Sequence, residues 1–324
     1  MHYRSLGRTG LKVSILSLGG SSLGGVFRAT DDRESIRTVH AAFDLGINFV
    51  DTSPYYGSTR AETVLGQALR GVVRDRYVLA TKVGQYGEGT FDFSADRIRR
   101  SLDESCARLG VDHVDLLQCH DIEFADLRQI AEETLPAMVE LRNAGRIRLV
   151  GVTGLPLRIF PAVLEAVPPG TIDTILSFCH YELNDATLGR WVPYFDARGV
   201  GVINASPTGM GLLTDRGAPA WHPATPAMLT TARSVAAHCR AKGIDLVKLA
   251  LQFCTAHPGI ATTLVGTANP ENLRRNVAAV NEPIDFAAMA EVLRLLAPVA
   301  DHNFTRGRPE NRDPIFFGAM KSGG

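Results

Sequence analysis

Along the chain, short apolar runs alternate with longer stretches whose apolar residues recur at helical spacing. Tyr3 to Val13 carries two turn signals, Leu6-Gly7-Arg8 and Thr9-Gly10, which predicts a small hairpin over residues 1–14. Ile15 to Gly20 is the first buried-strand candidate, and Asp31 to Leu45 the first helix, with Ile36, Val39, Ala42 and Phe43 on one face and Asp31 or Asp32 placed to cap it. Further strands are predicted at Asn48–Val50, Tyr77–Lys82, Val114–Cys119, Ile147–Val152, Thr174–Ser177, Val200–Ile203 and Thr262–Val265. Helices are predicted between them near Ala61–Arg70, Ser94–Leu109, Ile130–Ala144, Pro156–Ala166, before Gly199, at Ala227–Lys242 and Asp245–Ala256, and after the last strand at Pro270–Val280.

Nearly all these strands are apolar without alternation, as strands covered on both faces should be. Eight successive strand–helix units, with no linker or composition shift between them, predict one α/β domain over residues 1–324, a (β/α)8 TIM barrel with an N-terminal β-hairpin. An open doubly wound sheet is the alternative, but no Gly-x-Gly-x-x-Gly opens a strand–helix unit as its dinucleotide site requires. The polar, Pro-marked residues 301–324 are expected to form an irregular C-terminal flap or a partly disordered end.

Composition narrows the function classes. Hydrophobic residues make up 45% and charged residues 21%, as in a soluble globular protein with a large core. Lys+Arg and Asp+Glu are both 34, a balance that argues against a nucleic-acid partner. The N-terminus lacks the apolar core of a signal peptide and no run has the length of a membrane span, so no membrane partner and a cytoplasmic location are expected. The five scattered cysteines have no CxxC spacing and read as reduced, buried thiols; no metal site is expected.

A barrel keeps its chemistry at the carboxyl ends of its strands. There the second strand leads into Asp51-Thr52-Ser53-Pro54-Tyr55-Tyr56-Gly57, the third ends in Thr81-Lys82, and the fourth in Gln118-Cys119-His120-Asp121. Taken singly, each charge has a bland reading: a helix cap, a solvated lysine, a satisfied edge histidine. Their coincidence on three consecutive strands describes an acid–base device. A tyrosine is a poor proton shuttle at neutral pH, and a buried ammonium lowers its pKa. Asp51 would neutralise and orient Lys82, and His120 would direct a substrate oxygen.

Asp51 with Tyr56 in Asp-Thr-Ser-Pro-Tyr-Tyr-Gly, Thr81-Lys82, and Asp115 followed by His120 resemble the tetrad of the aldo-keto reductase family, in the family's order. The likeness runs from the Leu6-Gly7-Arg8-Thr9-Gly10-Leu11 hairpin to the Gly266–Val280 segment. It implies the (β/α)8 barrel, a nicotinamide dinucleotide bound without a Rossmann fold, and Tyr56, Asp51, Lys82 and His120 as the catalytic tetrad with Tyr56 as general acid/base. Cys119-His120-Asp121-Ile122-Glu123-Phe124, Gly154-Leu155-Pro156, Ser177-Phe178-Cys179-His180-Tyr181, Gly209-Met210-Gly211-Leu212-Leu213-Thr214 and Trp221-His222-Pro223-Ala224 resemble the family's L-galactose dehydrogenases, with the L-fucose and D-threo-aldose 1-dehydrogenases close by. Those enzymes oxidise C1 of a sugar to a lactone.

By the same likeness Gly20, Thr153, Ser206, Pro207, Gly209, Gly211, Leu212, Gly266, Thr267, Asn272 and Asn276 are expected to bind the cofactor. The Thr267-Asn269-Pro270 helix start suits an anion. NADP-preferring relatives place a Lys and an Arg where this chain has Gly266 and Asn272, which favours NAD; Arg274 and Arg275 keep NADP possible. Two positions depart from the pattern. Where many relatives have a nicotinamide-stacking aromatic this chain reads Asn204-Ala205-Ser206-Pro207, and Thr153-Gly154 replaces a Ser-Asn pair. Tyr55, His180, Trp221 and His222 are candidate contacts for a small-molecule sugar. A general NADPH-dependent carbonyl reductase and a non-catalytic dinucleotide-binding relative are the alternatives, and monomer and homodimer remain equally open.

Overall fold

The computed structural model describes residues 1–314. The N-terminal hairpin pairs β1 (Tyr3–Ser5) with β2 (Lys12–Ser14). Eight parallel strands then close into a barrel: β3 (Leu16–Gly19), β4 (Phe49–Asp51), β5 (Val78–Val83), β8 (Val114–Cys119), β9 (Ile147–Gly154), β10 (Thr174–Phe178), β11 (Gly201–Ala205) and β12 (Thr262–Gly266), with β12 pairing back onto β3. All eight coincide with the expected strands to within a few residues. The short hairpin of β6 (Gln85–Gly87) and β7 (Thr90–Phe91) beyond β5 was not anticipated.

The helices are α1 (Asp32–Asp44), α2 (Arg60–Leu69), α3 (Ala95–Leu109), the single turn α4 (Leu127–Gln129), α5 (Leu135–Asn143), α6 (Ile159–Glu165), α7 (Val192–Ala197), α8 (Pro226–Lys242), α9 (Leu246–Ala256), α10 (Pro270–Asn281) and α11 (Phe286–Leu296). Asp31 caps α1 by accepting from the Glu34 N–H (2.8 Å), as its position suggested. The stretch expected to be one helix over Ile130–Ala144 has a π-helical opening at Ile130–Thr134 before α5. Pro136 explains the break, because it has no N–H for the α ladder.

Alternation along the strands sorts the barrel interior. Phe49, Val78, Ala80, Leu116, Leu149, Leu176, Ile203 and Leu264 point inward low in the barrel, and Leu6 and Val13 of the hairpin plug that end. Two residues on from Phe49, Ala80 and Leu116 come Asp51, Lys82 and Gln118, on the same inner face one layer higher. Thr81, between them, points outward and donates to Glu62 (2.6 Å), which pairs with Arg108. Asp115 opens β8 at the opposite end and pairs with Arg74 and Arg148.

Residues 301–313 form a strap across the barrel mouth. Asn303 donates to the Cys179 carbonyl, Asn311 to those of Glu123 (3.0 Å) and Ala125 (2.9 Å), and Asp313 accepts from the N–H groups of Leu157 (2.7 Å) and Arg158 (2.9 Å). The expectation for 315–324 lies outside the described residues.

Candidate active site

The mouth divides by strand. The β4, β5 and β8 ends bring together Asp51, Tyr56, Lys82 and His120. Lys82 Nζ donates to Asp51 and to the Thr52 carbonyl (2.8 Å), with both Lys82 and Asp51 buried. Gln118 Nε2 donates to the other Asp51 oxygen (2.7 Å), fixing the carboxylate from its far side. Burial pulls the Lys82 pKa down, but Asp51 and then Tyr56 more than compensate, and the ammonium is held above the ordinary lysine value.

Lys82 Nζ lies 4.8 Å from the centroid of the Tyr56 ring. The rings of Tyr55, Tyr56 and His120 form a cluster, with centroids 5.8 Å (Tyr56–His120), 5.9 Å (Tyr55–His120) and 6.1 Å (Tyr55–Tyr56) apart. Their loop is fixed by close backbone contact: a Cβ on Gly57 would lie 2.1 Å from the Gly24 carbonyl oxygen, so no larger residue fits there.

Burial acts on the two candidate proton-handling groups in opposite senses. It lowers His120 to about 3, leaving a neutral imidazole. It raises Tyr56 to about 12, with Lys82 opposing. The expectation that Lys82 would bring the phenol below its ordinary value is therefore corrected: the ammonium pulls in that direction, but loss of solvation outweighs it. Ser53 Oγ accepts from the Tyr55 N–H (3.1 Å) and stands 3.2 Å from His120 Nδ1. A Ser53 hydroxyl that donates to Nδ1 puts the imidazole proton on Nε2, the tautomer in which His120 presents an N–H to the pocket. Neither Gln118 nor Ser53 was singled out from sequence.

The β11, β12 and β3 ends carry most residues expected to bind cofactor. Gly209 (φ 55°), Met210 (φ 51°) and Gly211 (φ 100°) are consecutive left-handed residues. Gly266 sits where an added Cβ would meet Ser22 Oγ at 3.0 Å and Ser21 Oγ at 3.2 Å. At the start of α10, Asn269 accepts from the Asn272 N–H (2.8 Å). Glycine-lined backbone beside a helix N-terminus fits a dinucleotide with its pyrophosphate. Gly20 has a packing reason of its own, since a Cβ there would meet the Asp51 carbonyl oxygen at 2.8 Å. Leu212 is buried in the cluster beneath α8. Pro207, also buried, is in sulfur contact with Cys254 through its carbonyl (3.8 Å), and Ser206 holds φ 63°. Asn276 is half-buried on α10.

Several expected contacts face other partners. Thr153 lies on the β9 side, where its hydroxyl accepts from the Asp121 N–H (3.0 Å). His180 is buried with Nδ1 3.0 Å from both Asp185 and Thr187. His222 spends both ring nitrogens on backbone, toward the Gly209 carbonyl (2.9 Å) and the Ala224 N–H (3.0 Å), so only its ring face is free. Trp221 is 51% exposed, 5.8 Å from the Phe27 ring across the mouth. Arg306 of the strap, which sequence reasoning missed, pairs with Asp121 (2.6 Å) beside His120. Among the described residues, no His/Cys/Asp/Glu group could hold a metal ion and no helix is long and apolar enough to cross a membrane.

Known proteins share this sequence pattern and fold. The Aldo/keto reductase family profile matches residues 15–297. The chain is 50% identical to L-galactose dehydrogenase of Arabidopsis thaliana over 95% of its own length and 98% of the relative's. It is 29% identical to D-threo-aldose 1-dehydrogenase of a Pseudomonas species, covering 89% and 96%. A holo-form aldo-keto reductase from Bacillus halodurans superposes with a TM-score of 0.77 at 28% identity, over 97% of this chain and all (100%) of that one.

Proposed function

The chain belongs to the aldo/keto reductase family, and on that premise we propose that it oxidises an L-sugar, L-galactose foremost and L-fucose next, at C1 to the aldonolactone. It is an NAD(P)-dependent oxidoreductase acting on CH–OH groups, and it uses a nicotinamide dinucleotide. The bound nicotinamide supplies the hydride acceptor. The protein's own residues do the rest. His120 Nε2–H and the Tyr56 oxygen hold the C1 oxygen of the hemiacetal. Tyr56, as phenolate, takes the hydroxyl proton while the C1 hydrogen leaves as hydride, and the C1–O bond becomes the lactone carbonyl. Lys82 stabilises the phenolate, and Asp51 with Gln118 keeps Lys82 charged and aimed.

The observation that carries this reading is the buried Lys82 ammonium under the Tyr56 ring, with a neutral histidine against the same ring. The choice of sugar rests on the likeness to the plant L-galactose dehydrogenase. NAD is favoured over NADP because Gly266 and Asn272 stand where the resemblance places a Lys and an Arg in NADP-preferring relatives; nearby, Arg274 pairs with Glu271 (3.2 Å) and Arg275 with Asn272. An absorbance assay of nucleotide reduction, run over L- and D-aldoses with each cofactor, tests the reading. L-Galactose with NAD is expected to give the highest kcat/KM. Faster reduction of plain aldehydes with NADPH than any aldose oxidation would favour a general carbonyl reductase instead.

A further inference from the structure

Asp121 follows His120 and holds φ 51°, ψ 55°, a left-handed conformation that costs energy for a residue with a Cβ. Its N–H donates to Thr153 Oγ1, and the backbone turns the buried carboxylate back toward the pocket. One oxygen, Oδ1, lies 3.8 Å from His120 Nε2; the other accepts from Arg306 Nη2 at 2.6 Å. Arg306 reaches this point on the strap and stacks over Phe124 (4.7 Å) and Phe178 (5.5 Å). The acid–base mechanism uses neither residue.

We propose that Asp121 and Arg306 form the binding site for the hydroxyl group on the carbon next to the reacting one. Substrates are then α-hydroxy carbonyl compounds and their hemiacetals, in preference to plain aldehydes and ketones. The inference rests on His120 Nε2–H holding the reacting oxygen, and it goes beyond that reading by naming what the substrate must carry beside it. At 3.8 Å the donor Nε2–H and the acceptor Oδ1 are too far apart to bond each other. Two oxygens on neighbouring carbons, in the gauche arrangement, stand about a hydrogen-bond length apart and can engage one each. The neighbouring hydroxyl donates to Asp121 and accepts from an Arg306 N–H that Asp121 does not use, both bonds being charge-assisted. Burial raises the Asp121 carboxyl, but its neighbours, Arg306 foremost, hold it below the ordinary carboxylate range, which keeps it an acceptor. Asp121 Oδ1 accepts from Thr153 Oγ1 (3.3 Å) and keeps a further lone pair for the substrate, so hydrogen in place of that hydroxyl loses two charge-assisted bonds, although Asp121 and Arg306 stay paired with each other.

The test compares kcat/KM for reduction of glycolaldehyde and of acetaldehyde in the wild type, in Asp121→Asn and in Arg306→Lys, which keeps a cation on the strap. The wild type is expected to favour glycolaldehyde by ~100-fold or more, and each variant to lose ~10-fold or more of that ratio. Intrinsic reactivity of the two aldehydes cancels between proteins, so an unchanged ratio in both variants overturns the proposal. Should neither variant fold, the wild type decides alone: a preference below ~10-fold overturns it. Oxidation of an aldose and its 2-deoxy counterpart is the second arm. If no aldose is oxidised, the sugar-dehydrogenase reading fails, while the glycolaldehyde ratio still decides this one.

Discussion

Tyr56 sits between an ammonium that favours its phenolate and a burial that disfavours it, and burial prevails. The consequence for pH is directional. On the proposed mechanism oxidation needs the phenolate, whose fraction rises about tenfold per pH unit below the pKa, so kcat/KM for sugar oxidation should climb steadily from pH 7 toward about 12. Reduction uses the protonated phenol and should stay level over the alkaline range where oxidation climbs; pH profiles in both directions check this. His120 adds no step near neutrality, because burial holds it at about 3. Ser53 acts through His120. Ser53→Ala should lower kcat about tenfold, the scale of one lost hydrogen bond, and shift the His120 ring-nitrogen resonances toward a mixture of tautomers. Lower kcat without that shift would contradict the tautomer argument. Asp51, Lys82 and His120 were legible because each interrupts an apolar run. Gln118 and Ser53 were not, since a neutral polar residue at a strand end attracts no notice until its partner is seen.

At the scale of elements, the strap over 301–313 ties the chain's end to the loop after β8. Gly307 packs against Glu123 so closely that a Cβ would lie 2.6 Å from its backbone oxygen, and the Arg308 N–H donates to that same oxygen (2.9 Å). Burial, and then the charge of Asp121, raises the Glu123 carboxyl to about 8 from its ordinary 4.5. Between those values the folded protein keeps a proton that the unfolded chain has lost. The stabilisation is therefore full below about 4.5 and disappears as pH rises through about 8. Glu123→Gln mimics the protonated state, so the wild-type Tm should fall relative to the variant's between pH 5 and pH 9; parallel curves would contradict the assignment. No local pattern in residues 301–313 announces this strap, because its partners lie far away in sequence. Helix α11 was passed over for a related reason: Phe286-Ala-Ala-Met-Ala-Glu-Val-Leu-Arg-Leu-Leu packs against α8 in a cluster outside the barrel units that organised the reading.

Across the whole molecule, closure of the barrel turns sequence order into a division of labour around one mouth. Strands β4, β5 and β8 present Asp51, Tyr56, Lys82 and His120, β11, β12 and β3 the glycine-lined cleft, and the strap crosses the β8, β9 and β10 side. Eight buried runs in succession made the barrel legible, and the strand-end rule made Asp51, Lys82 and His120 legible within it. What stayed hidden were pairings across the mouth, Arg306 with Asp121 and Phe27 with Trp221, since only closure brings those segments together. The central claim is that the hydrogen on the sugar's C1 passes to the nicotinamide while Tyr56 takes the hydroxyl proton. L-Galactose deuterated at C1, turned over with NAD and followed by mass spectrometry of the nucleotide, tests it directly. The account predicts deuterium in the reduced nicotinamide, and formation of that product slowed ~10²–10⁴-fold in Tyr56→Phe. Turnover that leaves the nucleotide unlabelled, or a Tyr56→Phe variant as fast as the wild type, would contradict it.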